Sequence, residues 1–148
     1  MKATIDRLHH WITEAPIKIG TLSELESSIR PQPHKWSKKE ILGHLCDSAL
    51  TNMQRFVRAQ YEPQPHVVLK YAQNQWIEHM NYQNQPVRQI LNLWIALNTQ
   101  VVNIVAHIPE DRLIYTCDIG EGQMVTLKWL IEDYVEHLEH HLVQIFGS

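Results

Sequence analysis

The sequence TLKWLIEDYVEHLEHHLVQIF, residues 126–146, runs without Gly or Pro from Thr126, a helix-capping residue type, to Gly147, a helix-stopping one. These are the start and stop marks of one long helix. At about 100° per residue, Leu127, Leu130, Tyr134, Leu138, Leu142 and Ile145 fall on a single apolar stripe. His137 and His141 stand one turn apart along an edge of that stripe. His140 falls outside it, on the side that carries Glu136. Side chains at i and i+4 have Cβ atoms roughly 5–6 Å apart. Two imidazoles so placed can reach one metal ion at about 2.0–2.1 Å per nitrogen. Many helices carry such a pair with no metal, so a third ligand from elsewhere must decide.

Working outward, β-favouring residues at 113–117, a Gly120-Glu121-Gly122 turn and residues 123–126 predict a small β-hairpin before this helix. Pro86 opens a preceding helix that runs to about His107, with Ile90, Trp94, Leu97, Val101, Ile104 and Val105 as its core stripe. Residues 62–85 are rich in prolines and amides. They predict an excursion with one short helix near Tyr71–His79, anchored by Trp76. Ser37-Lys38-Lys39-Glu40 is a capping box and opens a long helix to about Tyr61. Its apolar face, built on Leu42, Leu45, Ala49, Met53 and Phe56, is broad enough to predict more than one neighbour, a second subunit included. Leu50 and Val57 lie on the side of that face away from His44, while His44, Ser48, Asn52 and Arg55 form a polar stripe beside it. A first helix is predicted over 2–14, with Pro16 as a kink or restart. A short helical piece follows at 23–29, capped by Ser23 and Glu26, and then a proline linker at 30–34. The expectation is one all-α domain over 1–148: a four-helix bundle with a long excursion between helices 2 and 3 and a small β-hairpin before helix 4.

Composition narrows the function. The formal charge is −3 with no basic block, so nucleic acid finds no electrostatic footprint. No run approaches the ~18 apolar residues of a membrane span, and residues 1–11 lack the apolar core of a signal peptide. Two cysteines, Cys46 and Cys117, fit neither a disulfide framework nor a zinc motif. A reducing cytoplasm is the expected setting. Ten histidines are the compositional oddity.

His44 is the natural third ligand. It sits at the edge of the apolar face of its helix, as His137 and His141 do on theirs. If the two helices are neighbours, three neutral imidazoles meet and leave a tetrahedral metal one open position, the pattern of catalytic rather than structural sites. Asp47 or Asp133 is placed to orient a ring. Cys46 points about 200° away from His44, and no histidine is free to activate Ser48.

The run Lys35-Trp36-Ser37-Lys38-Lys39-Glu40-Ile41-Leu42-Gly43-His44-Leu45-Cys46-Asp47-Ser48, continued by residues 52–56 (NMQRF), resembles the signature of the DinB/YfiT-like superfamily of metal-dependent enzymes. Residues 134–145 resemble that family's C-terminal Y-x-x-H-x-x-HH-x-x-I segment. The resemblance spans nearly the whole chain. It implies a four-helix bundle, commonly a dimer, with His44, His137 and His141 on a divalent metal ion, zinc or nickel foremost. Characterised relatives include thiol S-transferases and isomerases that use low-molecular-weight thiols such as bacillithiol, mycothiol or glutathione. The resemblance therefore implies a small-molecule substrate and either a thiol S-transferase with a thiol cosubstrate or a hydrolase, working through metal-bound thiolate or water. Asn52 and Arg55 are the candidates to hold an anionic substrate group. A non-catalytic dimeric bundle with a structural or sensory metal is the alternative. One departure stands out: relatives often carry an aspartate shortly before the excursion's tryptophan, and residues 71–76 (YAQNQW) have none. With free imidazoles titrating at about 6.5, such a site is expected to lose metal steeply in mild acid while the core persists.

Overall fold

The computed structural model describes residues 1–147. Its helices are α1 (Lys2–Ile19), α2 (Glu24–Ser28), α3 (Lys38–Tyr61), α4 (Gln73–Met80), α5 (Val87–Ala106) and α6 (Leu127–Phe146). Its strands are β1 (His66–Val67), β2 (Thr116–Asp118) and β3 (Met124–Thr126). Both capping boxes form. The Ser37 hydroxyl accepts the Glu40 N–H, and the Glu40 carboxylate accepts the Ser37 N–H at 3.0 Å; Ser23 and Glu26 repeat the arrangement on α2. Thr126 caps α6 by accepting the Trp129 N–H, and Gly147 ends it at φ 73°. Helix α1 differs from expectation: it continues through Pro16 to Ile19. Only one turn lies beyond the proline, so one carbonyl, that of Ile12, loses its donor. The burial of Ala15 and Ile19 holds that turn in place.

Helix α3 packs against α5 and α6, and α1 packs against the same two. Successive long helices α1 and α3 therefore stand on one diagonal of the bundle, and α5 and α6 on the other. A hydrogen bond crosses the second diagonal: the Tyr134 hydroxyl donates to Asn98, whose own amide donates to the Trp94 carbonyl at 3.0 Å. Asn98 is fully buried in the expected α5 stripe, a polar residue that the apolar pattern does not announce. Helix α5 meets the length and mean hydropathy (1.2) of a membrane span. In this fold it buries Ile90, Trp94 and Val101 against its neighbours.

The expected hairpin is present, with Cys117 opposite Val125 across β2 and β3. The excursion adds a third strand, since β1 pairs parallel with β2 and sets His66 against Cys117. Two residues are too few to show a period of two, so β1 had no sequence pattern. Tyr82, rather than Trp76, anchors the excursion. Trp76 is half-buried, whereas Tyr82 is 1% exposed and its hydroxyl donates to Asp47 at 2.6 Å. Its ring lies over Gly43, where a Cβ would come within 2.2 Å of a ring carbon. The breadth of the α3 face is accounted for within the chain by α2, α4 and the Tyr82–Asn84 turn in addition to α5 and α6.

Gly43→Ala should therefore destabilise the fold by about 1–3 kcal/mol, the usual cost of overpacking. In a Tyr82→Ala background the same change should cost nothing or gain about 0.5–1 kcal/mol, because alanine favours helix over glycine. Denaturant unfolding of the four proteins in this cycle measures the difference.

Candidate metal centre

His44 projects from the second turn of α3, and His137 and His141 from neighbouring α6. The Nε2 atoms of His44 and His137 lie 3.2 Å apart, those of His137 and His141 3.1 Å apart. One nitrogen from each ring lies within 4.8 Å of the others. Bonds of about 2.0–2.1 Å set ligand nitrogens about 3.3–3.4 Å apart around a tetrahedral ion and about 2.8–3.0 Å apart on an octahedral face. The two spacings that involve His137 fall between these values. His140 is exposed and stands outside the cluster, as its place on the helical wheel predicts, with its ring edge-on to His141 at 5.2 Å between centroids.

Burial is the first cause that lowers the pKa of each ring. His44 is pushed down to about 3, with the neighbouring His137 and His141 adding to the effect. His137 falls to about 4, with His141 and His140 contributing. His141 is lowered less simply, because burial and His140 act against its bond to Gln144. A neutral imidazole has one N–H and one lone pair. The Nε2 of His137 faces two other nitrogens and can complete a single hydrogen bond with them, whereas a shared cation would engage three lone pairs at once. The donor set thus fits a divalent ion.

The partners of the outer nitrogens differ from expectation. His141 donates from Nδ1 to Gln144 Oε1 at 2.7 Å, one helical turn on, the kind of contact that fixes the orientation and tautomer of a metal-ligating ring. Neither expected acid does this. Asp47 accepts from Tyr82, and its carboxyl is pushed up to about 6 by burial, with the Tyr82 bond opposing. Asp133 makes no hydrogen bond to a histidine among the described residues. The buried Nδ1 of His44 has no partner among them either. Trp36, immediately before the Ser37 cap, covers His44 with ring centroids 4.9 Å apart. Glu139 ties α6 to α1 beside the histidines, accepting from the Arg7 guanidinium at 3.1 and 2.6 Å and from Trp11 at 3.1 Å.

Two cavities flank the triad. One of about 160 Å³ is lined by His137, Ser48, Asn52, Arg55, Tyr71 and Asp133 among others. The second, of about 500 Å³, is lined by His141, Gln144, Trp36, Lys35, His34 and Asn74 among others. Asn52 and Arg55 thus line a cavity with a histidine of the triad. The Asn52 amide donates to the Ser48 carbonyl at 2.8 Å, and Arg55 donates to the Leu69 carbonyl of the excursion. Burial lowers the Arg55 pKa, though a guanidinium stays charged. Cys46 is buried against the Ile90 carbonyl, its thiol pKa pushed far up by burial and by Asp47. That excludes it as a nucleophile.

The sequence profile described as "DinB superfamily" matches residues 3–145. The chain belongs to that superfamily. Among curated proteins, this DinB chain is 26% identical over 138 residues to "Putative metal-dependent hydrolase BH0277" of Halalkalibacterium halodurans, covering 90% of this chain and 80% of the relative. Among solved structures it matches YfiT from Bacillus subtilis, described as "a probable metal-dependent hydrolase with an unusual four-helix bundle topology", with a TM-score of 0.87 at 17% identity. That match covers 99% of this chain and 83% of YfiT. A mycothiol-dependent maleylpyruvate isomerase matches with a TM-score of 0.78 at 13% identity, over 97% of this chain and 60% of the isomerase. At these identities the two structures establish the fold.

The depressed histidines set the pH response of the metal-free fold. Between about pH 6.5 and pH 4 the unfolded chain takes up protons that His44 and His137 refuse while folded. Asp47, raised to about 6, takes up a proton in the folded state over part of the same window and opposes them, so stability should fall as pH drops through the window by less than the two histidines alone would give. The thermal midpoint of metal-free protein followed from pH 7 to pH 4 checks this, and His44→Gln/His137→Gln should flatten the dependence.

Proposed function

We propose that this DinB chain is a metal-dependent enzyme whose His44, His137 and His141 hold one divalent ion, zinc or nickel, through Nε2. The convergence of three neutral imidazoles between two cavities carries this reading. Three protein ligands leave a position open, as catalytic sites do and closed structural sites do not. When bound, the ion supplies Lewis acidity and a preference for thiolate over thiol. The chain's own groups do the rest. Gln144 orients His141, Trp36 covers one face of His44, and Arg55 with Asn52 holds an anionic group of a small-molecule substrate. Thiol S-transfer with a low-molecular-weight thiol as cosubstrate is the favoured reaction, supported by the likeness to the mycothiol-dependent isomerase. Hydrolysis is the second reading, favoured by the name of the Halalkalibacterium relative. We place the enzyme in the cytoplasm as a homodimer joined along the α3 side that carries Leu50 and Val57, the latter 42% exposed.

The decisive experiment is metal analysis of protein purified without a nickel column. Alanine at His44, His137 or His141 should each reduce metal content at least about tenfold, the scale on which losing one ligand contact acts, while His140→Ala stays near wild type. Loss of metal in His140→Ala would overturn the ligand set. Because burial holds His44 and His137 neutral to about 3 and 4, proton competition begins at lower pH than free imidazoles imply. Metal should be retained at pH 5, and release that tracks free imidazole near pH 6.5 would contradict the burial. In sedimentation, Val57→Glu should convert dimer to monomer.

A further inference from the structure

The cavity beside His137 contains one cation and one carboxylate that do not pair. Arg55 reaches it from α3, and Asp133 from α6 one turn before His137. Elsewhere in the chain opposite charges close at 2.6–3.8 Å. Among the described residues no ion pair joins these two, and Asp133 makes no side-chain hydrogen bond. Arg55 spends itself on a backbone carbonyl and, weakly at 3.5 Å, on Asn52, leaving its charge uncompensated. Among the described residues Asp133 is the only acid in the lining, and apart from Arg55 its other members, His137 included, are uncharged at neutral pH. The Tyr71 hydroxyl, also without a partner among the described residues, stands in the same wall.

Two opposite, unpaired charges across a volume of about 160 Å³ match a small zwitterion, because each end meets the charge it needs while leaving water. The histidine triad at one wall calls for a third feature, an atom that seeks metal. We infer that this site takes an amino-acid thiol of the cysteine type: its α-carboxylate on Arg55, its ammonium on Asp133 and its sulfur toward His44, His137 and His141. This rests on the thiol reading above and narrows it to thiols whose amine and carboxylate are both free at that end. A thiol with an acylated amine loses the Asp133 contact. One without the carboxylate loses the Arg55 contact.

Calorimetric titration of the zinc-loaded full chain with L-cysteine, cysteamine and mercaptopropionate tests it. Cysteamine lacks the carboxylate and mercaptopropionate lacks the ammonium. L-cysteine should bind about tenfold more tightly than either, the scale of one charge-assisted contact. Arg55→Met should erase the preference over cysteamine and leave the preference over mercaptopropionate. Asp133→Asn should do the reverse. Arg55→Lys and Asp133→Glu, which keep the charges, should retain part of each preference, and zinc content with circular dichroism confirms that every variant is folded and loaded. Equal binding of the three thiols by wild type would overturn the inference. So would a cysteine preference indifferent to Asp133→Asn, the result expected if the amine chelates the ion directly. Absence of binding by all three would instead overturn the thiol reading itself, and this inference with it.

Discussion

The His137 Nε2 stands 3.2 Å from that of His44 and 3.1 Å from that of His141, a clustering that suits uncharged rings, and burial between α3 and α6 keeps them so. Charging His44 at its depth would desolvate a cation beside two further histidines, which is why its pKa lies near 3. The packing of these two helices is thus an electrostatic condition of the site as well as a mechanical one. Each ring depends on contacts made elsewhere: Trp36 over His44, Gln144 on His141, and Glu139 tying α6 to α1 through Arg7 and Trp11. Without an ion, the His137 Nε2 can complete only one hydrogen bond with the two nitrogens it faces, and a cation is the group that would engage all three lone pairs.

The excursion between α3 and α5 resembles a loop by composition and acts as a wall of the site. Tyr82 lies over Gly43, one residue from His44, and donates to Asp47 three residues beyond that histidine. The Leu69 carbonyl holds Arg55, and Tyr71 closes the cavity beside it. Lys39, 4% exposed, binds Glu24 and the Gln85 carbonyl, while Gln83 joins Ser37 to the Ser28 carbonyl. The C-terminal end of the excursion is therefore fastened both to α2 and to the start of α3. These contacts account for part of the width of the α3 face within the chain.

The long helices were legible in sequence because their signals are local. Capping boxes at Ser23 and Ser37, a Gly stop at 147 and 3.6-residue stripes each lie within a few turns of chain. The three histidines were legible for the same reason, since their positions relative to a stripe can be computed helix by helix. What escaped depends on contacts distant in sequence. Strand β1 exists only because β2 lies beside it. Asn98 is tolerated in the core only because Tyr134 reaches it from the opposite corner of the bundle. Helix α1 crosses Pro16 because Ala15 and Ile19 are buried on either side of it. Gln144 is the instructive omission. It sits three residues after His141, inside the i, i+3 range that links helical neighbours, but a search confined to carboxylates passes over an amide that accepts a hydrogen bond equally well.

The same separation between local and distant bears on the acid missing from the excursion. Gln73, Asn74 and Gln75 precede Trp76, so the excursion itself brings no acid to the site. In space, Gln73 lines the cavity that Asp133 enters from α6, so a carboxylate stands there although the excursion provides none. A carboxylate acts on a ligand through the charge it places and the distance at which it places it. The element that carries it matters only through those two quantities. The place of Asp133 on α6, one turn before His137, sets the acid on a regular helix and on the same face as a histidine of the triad. Across the cavity Arg55 is fixed by the excursion's own backbone. The opposing charges are thus held by separate parts of the fold, which keeps them from collapsing onto each other.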